Sequence, residues 1–437
     1  MELVLLGGYA LLVLYTAFST KNRGKEAFYV NNRASDAWGV GFSIIVSCVG
    51  ASATIGVIGM AFAVGTPAFW WLGAGAAGLT ALALLLARKV RKSNAYTLPH
   101  MVETLFGSQA RPLIAAIIVV AWSAILAAQF TAIGKVLGAL TGFGPYICLA
   151  IGFLLICGHT LGGQSAIMRV DRIQALIILA ALAAMLVWLT MRNPGWPQTV
   201  RLEAVNAQFP AETLRYYLVV VGANYLVCPM LFGRLLSAKD EKSAVLGGII
   251  GAGGILVCSA LIVAVGLACK GLIPAETARD AVLTVILAEV MPPWMHMVVS
   301  FALISAIISS ADSCLVTAAT VCSHDLLGVQ SPAAARVCVF ALGTAGAAVS
   351  FWGKGILGFL LIAYDIFACG VVAPCLVGLL LFPARRVASR FACAAVITGG
   401  ILGAAAAFTE NSLYNYTGMA LSGFLALAGA RKRGGPG

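Results

Sequence analysis

The segment Ser305-Ala306-Ile307-Ile308-Ser309-Ser310-Ala311-Asp312-Ser313 puts residues 306, 309, 310 and 313 at i, i+3, i+4 and i+7, so three hydroxyls and one alanine backbone share a helix face. Hydroxyl and carbonyl oxygens are hard neutral ligands, the donor set that suits a monovalent cation such as sodium. Serines bonding their own i−4 carbonyls are the other reading of the motif. Two further runs are interrupted. Gly50-Ala51-Ser52-Ala53-Thr54-Ile55-Gly56 packs two hydroxyls and two glycines together, and Gly222-Ala223-Asn224-Tyr225 leads into Cys228-Pro229, where proline frees a carbonyl. Unwound backbone there would expose carbonyls and N–H groups to a ligand; small residues that let helices pack closely are the bland alternative. Asp171 and Gln174 lie one turn apart beside Arg169 and Arg172. The aspartate either pairs with an arginine or offers its carboxylate to a departing cation.

Side chains available to hold a solute are Ser52, Thr54, Gln129, Asn224, Tyr225, Tyr364 and Asp365. Asp365 stands deep in an apolar run, so its ionised form needs a counter-charge or water. It can meet a cationic solute, pair with a lysine or arginine of a neighbouring helix or stay protonated, or exchange protons. Trp70, Trp71 and Trp122 either wall the solute or anchor at the membrane interface, the commoner use of tryptophan at 70 and 71. His100, His159, His296 and His324 are scattered, with His100 and His324 expected at the inner face, and the 12 cysteines stand singly without a CxxC pair. No nucleophile, base or metal cluster for a membrane enzyme is visible, and the cysteines read as small buried apolar residues.

The elements that must position these residues follow from composition. Of 437 residues, 61% are hydrophobic and 10% charged, too few charges to cover a water-facing surface. The chain reads as an all-α integral membrane protein. Thirteen apolar runs of spanning length lie near 2–19, 38–64, 68–87, 112–140, 145–162, 168–191, 214–236, 243–268, 293–321, 335–352, 355–382, 390–409 and 413–430. The first lacks a basic flank and a small-residue cleavage site, so it reads as a retained span rather than a signal peptide. With the N-terminus outside and the C-terminus inside, all but seven of the 28 lysines and arginines (Lys135, Arg192, Arg201, Arg215, Lys270, Arg279 and Lys354), 21 in all, fall on inner segments. Their clusters, from Lys21, Arg23, Lys25 and Arg33 to Arg431, Lys432 and Arg433, are topology signals rather than a nucleic-acid surface. The interrupted second and seventh runs are five apart, the relation expected of the first helices of two five-helix repeats.

These residues resemble the sodium/solute symporter family, the sodium-coupled carriers of sugars, proline, pantothenate, monocarboxylates and choline. The resemblance rests on Ala51-Ser-Ala-Thr-Ile-Gly56; Tyr96-Thr-Leu-Pro-His100 with Phe106-Gly107; and Gly162-Gly-Gln-Ser-Ala166 with Asp171-Arg-Ile-Gln174. Arg234 with Ser237-Ala-Lys-Asp240, and Ser309-Ser-Ala-Asp-Ser313 followed by His324-Asp325, complete it in family order over about residues 1–380. It implies a five-plus-five inverted-repeat, LeuT-like core with repeats at 38–191 and 214–382, an extra helix at 2–19 and two accessory helices at 390–430 within a single transporter domain, 1–437. It also implies a sodium site of Val46, Val49 and Ala306 carbonyls with the Ser309 and Ser310 hydroxyls. Because 309, 312 and 313 share one helix face, Asp171, Ser309, Asp312 and Ser313 are expected to form a second cation position or exit path. The implied activity is sodium-coupled import of a small polar organic solute (an amino acid, carboxylate or quaternary amine) by alternating access across the plasma or inner membrane. No cofactor beyond sodium and no nucleic acid enters; the partners are the solute, sodium and lipid, and one chain is the functional unit. Cys48 and Ser52 stand where some family members carry an acid or amide, which argues against a sugar. A proton-coupled carrier of the same fold and a transporter-like sensor are the rival functions; the Ser309-Ser310 pair and the lack of a kinase or receiver segment argue against them.

Overall fold

The computed structural model describes residues 2–20, 24–381 and 385–432. Lys21, Arg23 and Arg433 of the charge pattern, and Phe382 at the end of the second repeat, lie outside them. Each of the thirteen apolar runs has a helical counterpart, numbered 1 to 13 below. Helix 1 is Glu2–Thr20; helix 2 is the pair Ala37–Cys48 and Ser52–Val64; helix 3 is Thr66–Lys92; helix 4 is Ala110–Thr141. Helices 5 to 9 are Pro145–Thr160, Gln164–Arg192, Ala211–Leu236, Glu241–Ala268 and Pro293–Leu326. Helices 10 to 13 are Pro332–Ser350, Gly355–Leu381, Ser389–Thr409 and Ser412–Ala428. Among the described residues nine of these are long and apolar enough to cross a membrane, and helix 2 makes a tenth if its two halves count as one.

Helix 2 starts on an Asp36 cap, whose carboxylate accepts the Gly39 N–H, and breaks after Cys48, where Val49 leaves helical geometry (φ −96°, ψ 61°). Its halves meet at 59°. Glycine is required at the elbow, because a Cβ on Gly50 would lie 2.3 Å from Ser310 Oγ. The first half packs along helix 8, where Gly247 and Gly251 receive Val40 and Ile44 without room for a methyl group. Helix 7 breaks less sharply at Val227 (φ −126°, ψ 34°), just before Pro229 removes a donor. Wide π-type turns interrupt helices 2, 3, 7, 9 and 11, at Ser52–Gly56, Leu82–Leu86, Tyr217–Val221, Cys322–Leu326 and Ala368–Val372.

Helix 9 is the most enclosed element, with 89% of its central window buried against helices 4, 6 and 10. That burial explains why its hydroxyls and Asp312 must find protein partners. Helix 1 packs outside helices 5 and 6, and helices 12 and 13 pack on each other and on helix 11. A two-stranded antiparallel ladder, Arg385–Val387 with Ala430–Lys432, clips that last pair together. The 12 cysteines are free and buried or half-buried, as the spacing predicts. Trp71 corrects the expectation of interface anchoring: it is 1% exposed, stacked on Tyr364 and edge-on to Tyr217.

Candidate functional site

Helix 9 crosses the elbow of helix 2, and three of its serines are used in three ways. Ser310 Oγ donates to the Ser47 carbonyl at 2.5 Å, on the last turn before the break. Ser309 Oγ donates to Asp171 Oδ1 at 2.9 Å. Ser313 Oγ bonds its own i−4 carbonyl, that of Ser309, at 2.8 Å, so the back-bonding reading holds for it and for Thr317 but not for the other two. Val46, Val49 and Ala306 are fully buried alongside. The freed backbone of the elbow is capped by Gln129 of helix 4, whose Oε1 accepts the Ala51 N–H at 3.2 Å.

A charged layer lies beside these serines. The Asp171 carboxylate, on helix 6, accepts from Ser43 of helix 2 as well as from Ser309. Its nearest cation is Arg234 of helix 7, at 3.8 Å, rather than Arg169 or Arg172; Arg172 pairs with Asp36. The Arg234 guanidinium, 1% exposed, donates to Ser47 Oγ at 3.1 Å and to Ser313 Oγ. Asp312, about 60° round helix 9 from Ser309, bonds His159 and accepts from Thr160 at 2.8 Å. Asp171 therefore meets Ser309, Asp312 does not join them, and Ser313 is shared with Arg234. Single charges this deep cost several kcal/mol each unless compensated, and here each has an opposite or polar partner.

Above Ser310, Ser52, Gln129, Asn224, Tyr225 and Tyr364 line one cavity of about 50 Å³ with Trp122, Cys48 and Cys314. Among the described residues none that lines it is charged. Two polar atoms there are buried without a partner: Trp122 Nε1, a donor, and Asn224 Oδ1, an acceptor. Two of the proposed solute contacts lie elsewhere. The Thr54 hydroxyl bonds the Gly50 carbonyl at 2.8 Å, and Asp365 faces a separate cavity, with its Oδ1 accepting from Tyr216 (2.5 Å) and Asn415 (2.9 Å).

The other end of the bundle is closed by Arg111, which reaches Asp325 (2.8 Å), Glu103 (3.0 Å) and the His324 carbonyl (2.9 Å). His100 and His324 meet there with ring centres 5.0 Å apart, and burial, with His324 and Arg111 nearby, lowers the His100 imidazole below its usual range. Sequence reasoning missed four site residues. Ser43 and Ser47 carried a signal, an i, i+4 pair just before the elbow. His159 was visible only as a histidine inside an apolar run, and Arg234 only as a motif residue.

The sodium:solute symporter family model matches residues 28–336. A sodium/pantothenate symporter of Haemophilus influenzae is 23% identical over 343 residues, 72% of this chain and 69% of that one. Among solved structures, a substrate-bound, outward-open Na+-coupled sialic acid symporter superposes with a TM-score of 0.84 at 15% identity, over 99% of each chain. A nucleobase-cation-symport-1 family transporter, closed with bromovinylhydantoin bound, superposes with a TM-score of 0.63 at 14% identity, over 93% of this chain and 94% of that one. The fold is thus that of LeuT-like transporters, and the protein is a multi-pass integral membrane carrier rather than an enzyme. With the matched segment covering well over half of its length, the chain belongs to the sodium:solute symporter family.

Proposed function

We propose that the chain imports a small carboxylate-bearing solute together with sodium. The carrying observation is Ser310, which joins helix 9 to the broken helix 2 and also lines the solute cavity. Sodium sits at the elbow, held by the Val46, Val49 and Ala306 carbonyls and the Ser309 and Ser310 hydroxyls. Ser309 keeps its proton on Asp171 while its lone pairs face the ion. Binding ties helix 9 to helix 2 and favours the conformation that accepts solute, by no more than the ion's differential affinity for the two states. A membrane potential of 100 mV adds about 2.3 kcal/mol for each charge moved inward.

The solute class rests on the cavity. Ser52, Gln129, Tyr225, Tyr364 and the unpaired Trp122 Nε1 supply donors, among the described residues no acid lines the cavity to receive an amine, and sodium beside Ser310 supplies the counter-charge. Asp171 and Ser313, with Asp312 held behind them, form the path by which the ion leaves. The topology that accompanies this reading has thirteen spans, with the N-terminus outside and the C-terminus inside. Its repeats are at 38–191 and 214–382, helix 1 and helices 12 and 13 are additions, and a single chain is the working unit. Uptake of labelled acetate, lactate, proline, choline and glucose into proteoliposomes, in sodium and in potassium buffer, tests it. Sodium-dependent uptake of a carboxylate without a fixed cation is expected; uptake confined to choline, or equal in both buffers, overturns it.

A further inference from the structure

We propose that the cavity beyond Asp365 is a second ligand site, distinct from the solute cavity, that binds a small organic ammonium ion. The cavity holds about 450 Å³, against about 50 Å³ for the central one, and falls in the range of about 300–1,000 Å³ typical of small-molecule sites. It opens between the start of helix 7, helix 11 and the facing ends of helices 12 and 13, away from the Arg111 cluster. Its apolar walls are Leu361, Ile362, Ala406 and Ala407.

Three features select a cation. The charged residues of the lining are Glu212, Asp365 and Glu410 against one lysine, Lys354, whose ammonium is already paired with Glu410 at 3.4 Å. Asp365 is 7% exposed, and among the described residues no lysine, arginine or histidine forms an ion pair with it. Both of its hydrogen bonds, from Tyr216 and Asn415, fall on Oδ1, and among the described residues no donor reaches Oδ2 of this cavity-lining carboxylate. Tyr216 and Tyr217 add aromatic rings to the same lining. A buried carboxylate next to aromatic faces is the combination that recognises alkylated ammonium ions, which meet Coulomb attraction and the ring quadrupole together without needing strong hydrogen bonds. A bound cation would also fix helix 11 to helices 7 and 13 through Tyr216 and Asn415, and so stabilise this arrangement of the outer end.

The purified carrier is heated in potassium chloride with increasing tetramethylammonium chloride at constant ionic strength, with neopentyl alcohol as the uncharged probe of the same shape. A saturable rise in melting temperature is expected with tetramethylammonium and none with the alcohol. Asp365→Asn should raise the half-saturating concentration at least tenfold. Ala407→Leu, which fills a wall and keeps every charge, should do the same and decides the matter if the first variant does not fold. Ser310→Ala should lose the melting-temperature rise caused by sodium and keep that caused by tetramethylammonium, so failure of the sodium assignment and failure of this one read differently. No saturable response in the unmodified carrier, an equal response to the alcohol, or an unchanged response in Ala407→Leu overturns the proposal.

Discussion

Tyr364 and Asp365 are neighbours in the chain and open into different cavities. On a helix successive residues point about 100° apart, so the tyrosine reaches the small central cavity and the aspartate the large outer one. Among the described residues the central lining carries no charge, whereas the lining of the larger cavity has three carboxylates for one ammonium. Under the proposed reading of the central cavity, the difference means that this carrier draws the attraction for its solute from a mobile sodium, which leaves with its cargo, rather than from a fixed charge. Among the described residues, the acids near the centre are partnered, Asp171 by Arg234 and Asp312 by hydrogen bonds with His159 and Thr160.

That contrast can be broken most violently at Arg234. Arg234→Ala strands Asp171 with only hydroxyl partners and is expected to cost about 3–5 kcal/mol of stability, read as a lowered melting temperature; Asp171→Asn on the same background should recover part of it, and no recovery would mean that the pair is not the cause. Next comes Ser310→Ala, which removes the link to Ser47 and one ligand of the proposed sodium site. Sodium-dependent uptake should fall at least ~10-fold, about 1.4 kcal/mol, with the size-exclusion profile unchanged; full sodium dependence in this variant would sink the site. Gln129→Ala uncaps the Ala51 N–H and removes a solute donor, so the solute KM should rise about 5–30-fold, about 1–2 kcal/mol. The smallest effect is expected of Thr54→Val, whose hydroxyl is spent on the Gly50 carbonyl. A change above about 2-fold in KM, roughly 0.4 kcal/mol, would put Thr54 back in the cavity wall.

Hydropathy located the helices well because each long apolar run must satisfy its own backbone within the bilayer. The elbow at Gly50 and the break near Pro229 were legible for the same local reason: glycine and proline disrupt a helix wherever they stand. Ser309 and Ser310 were legible from helical spacing. Partner choice was not. Beside Asp171 the sequence offers Arg169 and Arg172, yet the pairing goes to Arg234 on another helix, because the adjacent arginines project outward while Asp171 faces the core. Asp312 is expected to join Asp171 because it shares a face of helix 9 with Ser309 and Ser313; its carboxylate bonds instead to His159, more than 150 residues away in sequence. Asp365 read as a solute contact because a carboxylate in an apolar run invites one, and only the packing of helix 13, which brings Asn415 to it, places it in the outer cavity.

The five π-type turns give this architecture a mechanical property. Each holds one residue more than an α-helical turn would need, and three of them lie in helices 2, 7 and 11, which also line the solute cavity. Passing such a turn along its helix reorients the side chains between its old and new positions by about 100°, the angle of one residue, while both helix ends stay where they are. Tyr364 and Asp365 stand just before one of these turns, so a slip of a single residue there would turn one of them toward the cavity that the other now faces.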